Sequence, residues 1–147
     1  MSPLPINLAI LILNDLPELL GETYGSEPFS ITDKNLEEIE SLLERPFQTF
    51  DGVELYESPA EKVAVLFYQI IKGHKLENGN KRTAIILTLA FLAHNAFWLS
   101  ASGDELYKMA LLVAESKAFD KEKEMKWLTI KFSRIMTRSL PRGDGRD

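Results

Sequence analysis

Cysteine is absent from the 147 residues of this chain, which excludes disulfides, thiolate metal sites and cysteine nucleophiles. A net positive charge is absent as well: 22 acidic residues outnumber 17 basic ones and the formal net charge is −5, so the composition predicts no general affinity for nucleic acid. The first basic residue is Lys34, so the apolar start lacks the basic region of a signal peptide. Residues 84–93 are strongly apolar but too few to span a bilayer. We therefore expect a soluble cytoplasmic protein that binds neither membranes nor nucleic acid directly.

The composition is that of a chain with one core. Apolar residues make up 45% and charged residues 27%, which is ordinary for a globular domain of this length. We predict a single domain over residues 1–140 and a flexible C-terminal tail at 141–147. Because apolar residues recur mainly at helical spacing, the predicted fold class is all-α, a helical bundle with one small β-hairpin.

Helices are predicted in the first third of the chain from apolar spacing and capping residues. The segment Pro3–Asn14 is expected to be a buried helix, with a strand as the alternative. Pro17 is expected to restart a short second helix that ends at Leu20. Thr32 is the predicted N-cap of the next helix, and Pro46 ends it.

Helices are also predicted in the remainder of the chain. Glu61–Lys72 has one apolar face, and Ala84–His94 is apolar nearly all round, as expected of the central helix of a bundle. Asn95 is placed to cap the C-terminus of that central helix. The sequence Ser-Gly-Asp-Glu at 102–105 fits a capping box, and Asp120 is the predicted cap of the last helix.

The stretch from Gln48 to Tyr56 carries the strongest β signal. Asp51 and Gly52 lie between two short alternations of apolar and polar residues, and a type I′ turn requires positive φ at both central positions. This hairpin is predicted to be the only β element. Since two strands alone are marginally stable, we expect the hairpin to lie on the helical body, with a free edge that can receive an extended peptide. An ordinary surface hairpin is the alternative.

A polar stretch from Gly73 to Thr83 connects two predicted helices and is the candidate functional site. His74 is suited to act as a general base, and Gly79 lets the backbone approach a ligand closely. The first N–H groups of the following helix, together with Lys81 and Arg82, supply positive charge for a phosphate. The stretch therefore predicts a phosphate-binding loop with a base beside it, the alternative being an ordinary charged surface loop.

The same stretch resembles the signature of the Fic/Doc family, His-x-Phe-x-(Asp/Glu)-Gly-Asn-x-Arg. Residues 74–84 read His-Lys-Leu-Glu-Asn-Gly-Asn-Lys-Arg-Thr-Ala, and the form with Asn-Lys-Arg-Thr-Ala is typical of the death-on-curing (Doc) branch. The similarity extends to Leu43–Pro46, to the hairpin at Asp51–Tyr56 and to Phe91–Leu99. It thus covers residues 35–116 of the chain.

This resemblance implies an all-α Fic fold with a hairpin flap near the active-site loop. It also implies a transferase that moves part of a nucleoside triphosphate onto a hydroxyl side chain of a target protein. Doc-type members use ATP to phosphorylate a threonine of a translation elongation factor, whereas most other Fic proteins transfer AMP. We therefore predict a Doc-like toxin-type kinase of a Thr or Ser side chain, with ATP and Mg²⁺ as cofactors. AMP transfer and a catalytically impaired binding module are the alternatives.

The resemblance also implies a role for each matching residue. His74 matches the general base that takes the proton from the target hydroxyl. Gly79, Asn80 and Arg82 match the anion-binding positions. Lys81 replaces the second glycine of AMP-transferring members, favours the Doc-like interpretation and joins the nucleotide site. The residues that match the target-docking flap are Asp51, Gly52, Val53, Glu54, Leu55 and Tyr56.

Three residues of the loop depart from the family pattern. Asn78 occupies the position of the metal-binding acid, so the predicted Mg²⁺ ligand is an amide oxygen without net charge. Leu76 replaces Phe, and Lys75 replaces the Pro of many members, which makes the loop less stiff. The inhibitory Ser/Thr-x-x-x-Glu-(Gly/Asn) helix of family regulators has no match in the sequence. If the protein is toxic, we expect a separate antitoxin chain to restrain it in trans.

Three further residues are expected to be structural. His94 is predicted to be a cap-region or core histidine rather than a ligand. Trp98 and Trp127 are predicted to be core or rim aromatic residues. The basic C-terminal end is predicted to be a solvated helix face followed by the tail; its arginines are Arg134, Arg138, Arg142 and Arg146.

Overall fold

The structure is a computed structural model that describes residues 1–20, 33–73, 80–117 and 120–138, with side chains left out at 15–20 and 33–34. The described residues are predominantly helical, which confirms the all-α prediction. In chain order the elements are α1 (Ile6–Leu20), α2 (Asp33–Glu44), a 3₁₀ turn (Arg45–Phe47), β1 (Thr49–Phe50), β2 (Val53–Glu54), α3 (Pro59–Gly73), α4 (Asn80–His94), β3 (Phe97–Leu99), α5 (Gly103–Glu115), α6 (Lys121–Ile135) and β4 (Met136–Arg138). None of the described helices has both the length and the apolar content needed to cross a bilayer.

The helices α3 and α4 form the centre of the bundle. They pack on each other, α6 and α5 pack on α3, and α1 covers α4. Phe67 of α3 meets Phe132 of α6 edge to face, with ring centroids 5.4 Å apart. Phe47 of the 3₁₀ turn meets Phe91 of α4 in the same way at 6.0 Å. Because such pairs add about 0.5–1.5 kcal/mol beyond the apolar area that they bury, they fix both α6 and the 3₁₀ turn on the central pair.

The capping residues read from the sequence hold the ends of α4 and α5. Ser102 Oγ accepts a hydrogen bond from Glu105 N at 3.1 Å, and Glu105 Oε1 accepts one from Ser102 N at 3.2 Å, so the predicted capping box is confirmed. Asn95 Nδ2 donates to the Phe91 carbonyl at 2.9 Å and closes α4 as predicted. Asp120 occupies the N-cap position of α6, but its side chain makes no capping hydrogen bond to the described residues.

The predicted helix restart at Pro17 is wrong. Helix α1 continues from Ile6 to Leu20 without interruption. A proline removes one N–H and crowds the preceding turn, but Ala9 and Leu13 before it are fully buried. Tertiary packing of those turns therefore overrides the local break. The predicted N-cap Thr32 and the tail at 141–147 lie outside the described residues.

The prediction of a single β element is also wrong, because β3 and β4 form a second antiparallel pair. Phe97 pairs with Arg138, and Leu99 pairs with Met136. The Arg138 guanidinium lies 4.9 Å from the centre of the Phe97 ring and adds a cation–π contact. Each strand has three residues, too few to show a period of two, and their pairing joins segments far apart in the sequence.

Candidate functional site

The predicted site lies between the two central helices. Helix α3 ends at Gly73 and α4 begins at Asn80, so the structure fixes both ends of the connecting loop. His74, Asn78 and Gly79 belong to residues 74–79, which lie outside the described residues. The structure therefore describes the N-terminal end of α4 at this site, and the role of the loop stays a prediction.

The first turn of α4 concentrates positive charge. Asn80 and Lys81 are half-buried, whereas the side chain of Arg82 is only 5% exposed. This turn contains no acidic residue. The N–H groups and the dipole of a helix N-terminus already favour an anion, and cations shielded from water attract it more strongly. The turn thus combines two features that favour an anion at a helix N-terminus.

The predicted flap is a hairpin in the structure, with Thr49 paired to Glu54 and Phe50 paired to Val53. Its central residues, Asp51 and Gly52, have φ angles of 57° and 78°, as a type I′ turn requires. Phe50 is 72% exposed and Val53 is 59% exposed. The hairpin thus confirms the turn chemistry, and the apolar side chains of its strands face solvent.

A buried lysine that sequence reasoning missed holds the stem of this hairpin. Lys62 lies in the first turn of α3, is 4% exposed, and donates to Glu54 Oε1 at 2.6 Å and to the Pro46 carbonyl at 3.3 Å. Its ammonium group also donates to the carbonyl of Tyr56. It lies 5.0 Å from the centre of the Phe47 ring. A lone lysine beside an apolar helix face is ordinarily exposed, so no local signal predicts this burial.

The contact with Lys62 changes the pKa of Glu54. The hydrogen bond from Lys62, followed by the charge of Lys62, lowers the pKa of Glu54 below its ordinary value. Glu54 is half-exposed and Lys62 is nearly buried, so the pair bridges the surface of the flap and the helical body.

Helix α3 begins with a second capping box that the sequence analysis did not identify. Ser58 Oγ accepts from Glu61 N at 3.1 Å, while Glu61 Oε1 accepts from Ser58 N at 3.0 Å. The Ser-x-x-Glu spacing that reveals this motif is present in the sequence. The box fixes the first turn of α3 and therefore the helical position from which Lys62 extends.

An open groove of about 790 Å³ begins beside the flap and runs between α3 and α6. It is lined by Leu55, Tyr56, Ser58, Glu61, Val65, Lys121, Glu122, Met125, Lys126, Thr129 and Ile130. Most of these residues are apolar or lysine, and they come from three separate segments. Only the tertiary fold brings those segments together, so the sequence offered no signal for the groove.

Two interactions link the C-terminal half of α3 to the segments around it. Lys72, in the last turn of α3, donates to the carbonyl of Ser116 just beyond α5. Burial raises the pKa of Tyr68, and the charges of Glu124 and Asp120 raise it further. On α3 the lining of the groove ends at Val65, so the groove follows the half of the helix that begins beside the flap.

The remaining candidates are partly as predicted. His94 is the last residue of α4, is exposed, and lies 3.2 Å from Ser2 Oγ through Nε2, in agreement with a cap-region role. Trp98 is 61% exposed and Trp127 is 38% exposed, so neither is a core residue. Within the described ranges there is no cluster of three or more His, Cys, Asp or Glu that could hold a metal ion.

Comparison with known proteins gives two matches. The profile of the Fic/DOC family matches residues 7–92, which run from α1 through the hairpin and the loop into α4. A protein named Toxin Doc, from Mycolicibacterium smegmatis, is 35% identical over 66 residues, which are 45% of this chain and 51% of that protein. The chain thus spans about half the length of the curated relative that it matches. No solved structure matches the chain.

Proposed function

This chain belongs to the Fic/DOC family, and on that premise we propose that it is a Doc-like, toxin-type transferase that phosphorylates a Thr or Ser side chain of a target protein with ATP. The observation that carries the proposal is the cationic first turn of α4, which directly follows the loop that begins at His74. A phosphate donor held at a helix N-terminus beside a general base has the parts that phosphoryl transfer requires.

In the proposed reaction, His74 takes the proton of the target hydroxyl while the hydroxyl oxygen attacks the γ-phosphorus of ATP. The bond between the γ-phosphorus and the bridging oxygen breaks, and ADP leaves. Lys81, Arg82 and the N–H groups at the start of α4 stabilise the charge on the phosphate groups. The proposed phosphate site also includes Gly79, which leaves room for the phosphate oxygens, and Asn80, which donates to them.

Asn78 is the residue that we expect to hold Mg²⁺, together with phosphate oxygens and water. Mg²⁺ in such sites is commonly bound through few protein ligands, and an oxygen ligand at this position fits that chemistry. An amide carries no net charge, so the metal depends more on the nucleotide than it does with a carboxylate. Mg²⁺ held there would neutralise charge on the phosphates.

The target protein is proposed to bind at the flap formed by Asp51–Tyr56. Its exposed strands offer an edge to which an extended segment can add by main-chain hydrogen bonds. The groove that starts at Leu55 gives such a segment room to continue along α3. A component of the translation machinery, such as an elongation factor, is the proposed target, and the name of the relative, Toxin Doc, supports an antitoxin chain as a partner in trans.

Transfer of label from ATP tests this function. The protein is incubated with a clarified bacterial lysate and with ATP labelled at either the α- or the γ-phosphate. Label that enters a protein from the γ position alone supports the kinase, whereas label from the α position shows AMP transfer and replaces the proposal. A His74→Ala variant should lose transfer by about 10²–10⁴-fold. No label from either position, with parent and variant alike, would establish a non-catalytic binding module instead.

A further inference from the structure

Lys62 is a charged side chain in an apolar interior. Taking an ammonium group out of water is expensive, and lysine is rarely buried unless it is fully paired. With 4% of its surface exposed, Lys62 is among the few charged residues that the described part of the chain buries. Such a residue needs hydrogen-bond acceptors for its N–H donors, and the positions of those acceptors show which segments of the chain it connects.

The number of acceptors around Lys62 equals the number of N–H donors of its ammonium group. An ammonium has three N–H donors, and three oxygens receive them: Glu54 Oε1, the Pro46 carbonyl and the Tyr56 carbonyl. The charge also lies over the ring of Phe47. Hydrogen bonds from a charged donor are roughly twice as strong as neutral ones, so this group forms a strong clamp.

The three acceptors belong to both ends of one hairpin. Pro46 precedes β1, Glu54 ends β2, and Tyr56 follows β2. The hairpin itself buries little, since Phe50, Val53 and Leu55 are each at least half exposed. Strands of two residues are marginal alone, so the position of the flap depends on its stem. Lys62 ties the two sides of that stem to a single point on α3.

Helix α3 also carries the start of the loop. Lys62 lies in its first turn and Gly73 is its last residue, about 16 Å away along the helix axis. A helix packed in the core is rigid, so Lys62 and Gly73, after which the loop begins in the sequence, keep a fixed separation. From this geometry we infer that Lys62 is a positioning residue, which holds the flap where it can present a target segment to the loop. The inference rests on the proposed function.

Lys62→Met removes the donors and the charge over Phe47 while keeping an unbranched side chain of similar length. Transfer of γ-label from ATP is measured with a clarified bacterial lysate as the acceptor, at serial dilutions of the lysate and of ATP. We expect the half-saturating lysate concentration to rise by about tenfold, as the loss of charged hydrogen bonds predicts. The rate at saturating lysate and the half-saturating ATP concentration should stay at the parental values.

Amide hydrogen exchange reports the flap directly and does not require activity. Exchange over residues 48–56, which include the Leu55 N–H bonded to the Gln48 carbonyl at 3.0 Å, should be faster in Lys62→Met. Lys72→Met is the matched control, because Lys72 also lies on α3 and donates to a backbone carbonyl, but at the opposite end of the helix. Exchange of the hairpin should remain parental in that variant.

Glu54→Gln is a second, milder variant, and it decides the question if Lys62→Met fails to fold by circular dichroism. Glu54 is half-exposed, so its substitution threatens the fold less. It should shift hairpin exchange and lysate dependence in the same direction by a smaller factor. It should add nothing in the Lys62→Met background, because Glu54 acts on the stem through Lys62.

Three results would overturn the inference. Faster exchange of the hairpin with an unchanged lysate dependence would show that the position of the flap does not matter for the target. A lower rate at saturating lysate together with a higher half-saturating ATP concentration would show general damage to the structure. In both cases the proposed function survives. Absence of transfer by the parent protein, by contrast, removes the proposed function and this inference together.

Discussion

The helices α4 and α5 begin in opposite ways. At the start of α5, Ser102 and Glu105 satisfy each other's backbone N–H groups, and Asp104 adds a second acid where the helix dipole favours negative charge. The start of α4 places Lys81 and Arg82 at the positive end of the dipole and has no acidic residue in its first turn. Each cation at such a position is unfavourable for the helix alone by about 0.3–1 kcal/mol.

We propose that the start of α5 serves stability and that the start of α4 serves a ligand. The start of α5, like that of α3 with Ser58 and Glu61, is completed by its own side chains. The start of α4 places charges at the positive end of its dipole, and we propose that they become favourable when an anion binds. A position that sacrifices local stability in this way is expected at functional sites.

Making α4 resemble α5 should have the largest effect. Lys81→Glu puts an acid in the first turn of α4, so the free energy of unfolding should rise by about 0.3–1 kcal/mol. Transfer should fall by more than about 100-fold, because the new charge repels the phosphates and a donor is lost. Chemical denaturation and transfer of γ-label from ATP measure the two quantities.

Lys108→Glu is the matched control for this change, since it alters the net charge equally at an exposed position of α5. Its transfer rate should equal that of the parent. If Lys81→Glu transferred phosphate at the parental rate, the cationic start of α4 would have no role in the reaction.

The loop before α4 offers a way to strengthen the site rather than break it. Asn78→Asp restores the acid of the family pattern, and a charged ligand should tighten Mg²⁺ binding by about tenfold. The dependence of transfer on Mg²⁺ concentration measures this. Glu77→Gln, at the neighbouring position to which the family pattern gives no metal role, should leave the dependence unchanged. Equal Mg²⁺ dependence in Asn78→Asp and the parent would remove residue 78 from the metal site.

Removing the cap of α5 should affect stability alone. Ser102→Ala takes away the hydroxyl that accepts from Glu105 N, which should lower the free energy of unfolding by about 1 kcal/mol. For a chain of this size that corresponds to a drop in Tm of about 2–4 °C. Transfer at 25 °C should be unaffected, and a loss of transfer in a folded Ser102→Ala protein would connect the start of α5 to the site.

The features that the sequence predicted correctly have local causes. The type I′ turn needs only Asp51 and Gly52, and the capping box needs only Ser102 and Glu105. A helix that is apolar on all sides must be buried, so its central position can be predicted from its own residues. Features that depend on distant segments were missed. The pairing of β3 with β4 joins two three-residue strands, and the continuation of α1 through Pro17 depends on packing against other helices.

The same distinction between local and long-range causes applies to the candidate site. Its loop could be predicted because the candidate residues lie next to one another from His74 to Arg82. The groove between α3 and α6 and the clamp at Lys62 escaped notice because they combine residues from separate elements. Nothing in the local sequence distinguishes Lys62 from an exposed lysine, since its partners are one side-chain oxygen and two backbone carbonyls.

The smallest predicted effect concerns the ion pair of Lys62 with Glu54; among the described residues Lys62, unlike Lys81, has a carboxylate partner. The pKa of Glu54 is lowered by the hydrogen bond and the charge of Lys62. A carboxyl group with a lower pKa in the folded protein stabilises the fold above its unfolded pKa, and this stabilisation is lost as the pH falls through the folded value. The difference in Tm between the parent and Glu54→Gln should therefore be present at neutral pH and should shrink below about pH 4. Because Glu54 is half-exposed, 1 M salt should also reduce it. A difference that stayed constant from neutral to acidic pH would show that the negative charge of Glu54 contributes nothing to holding the flap.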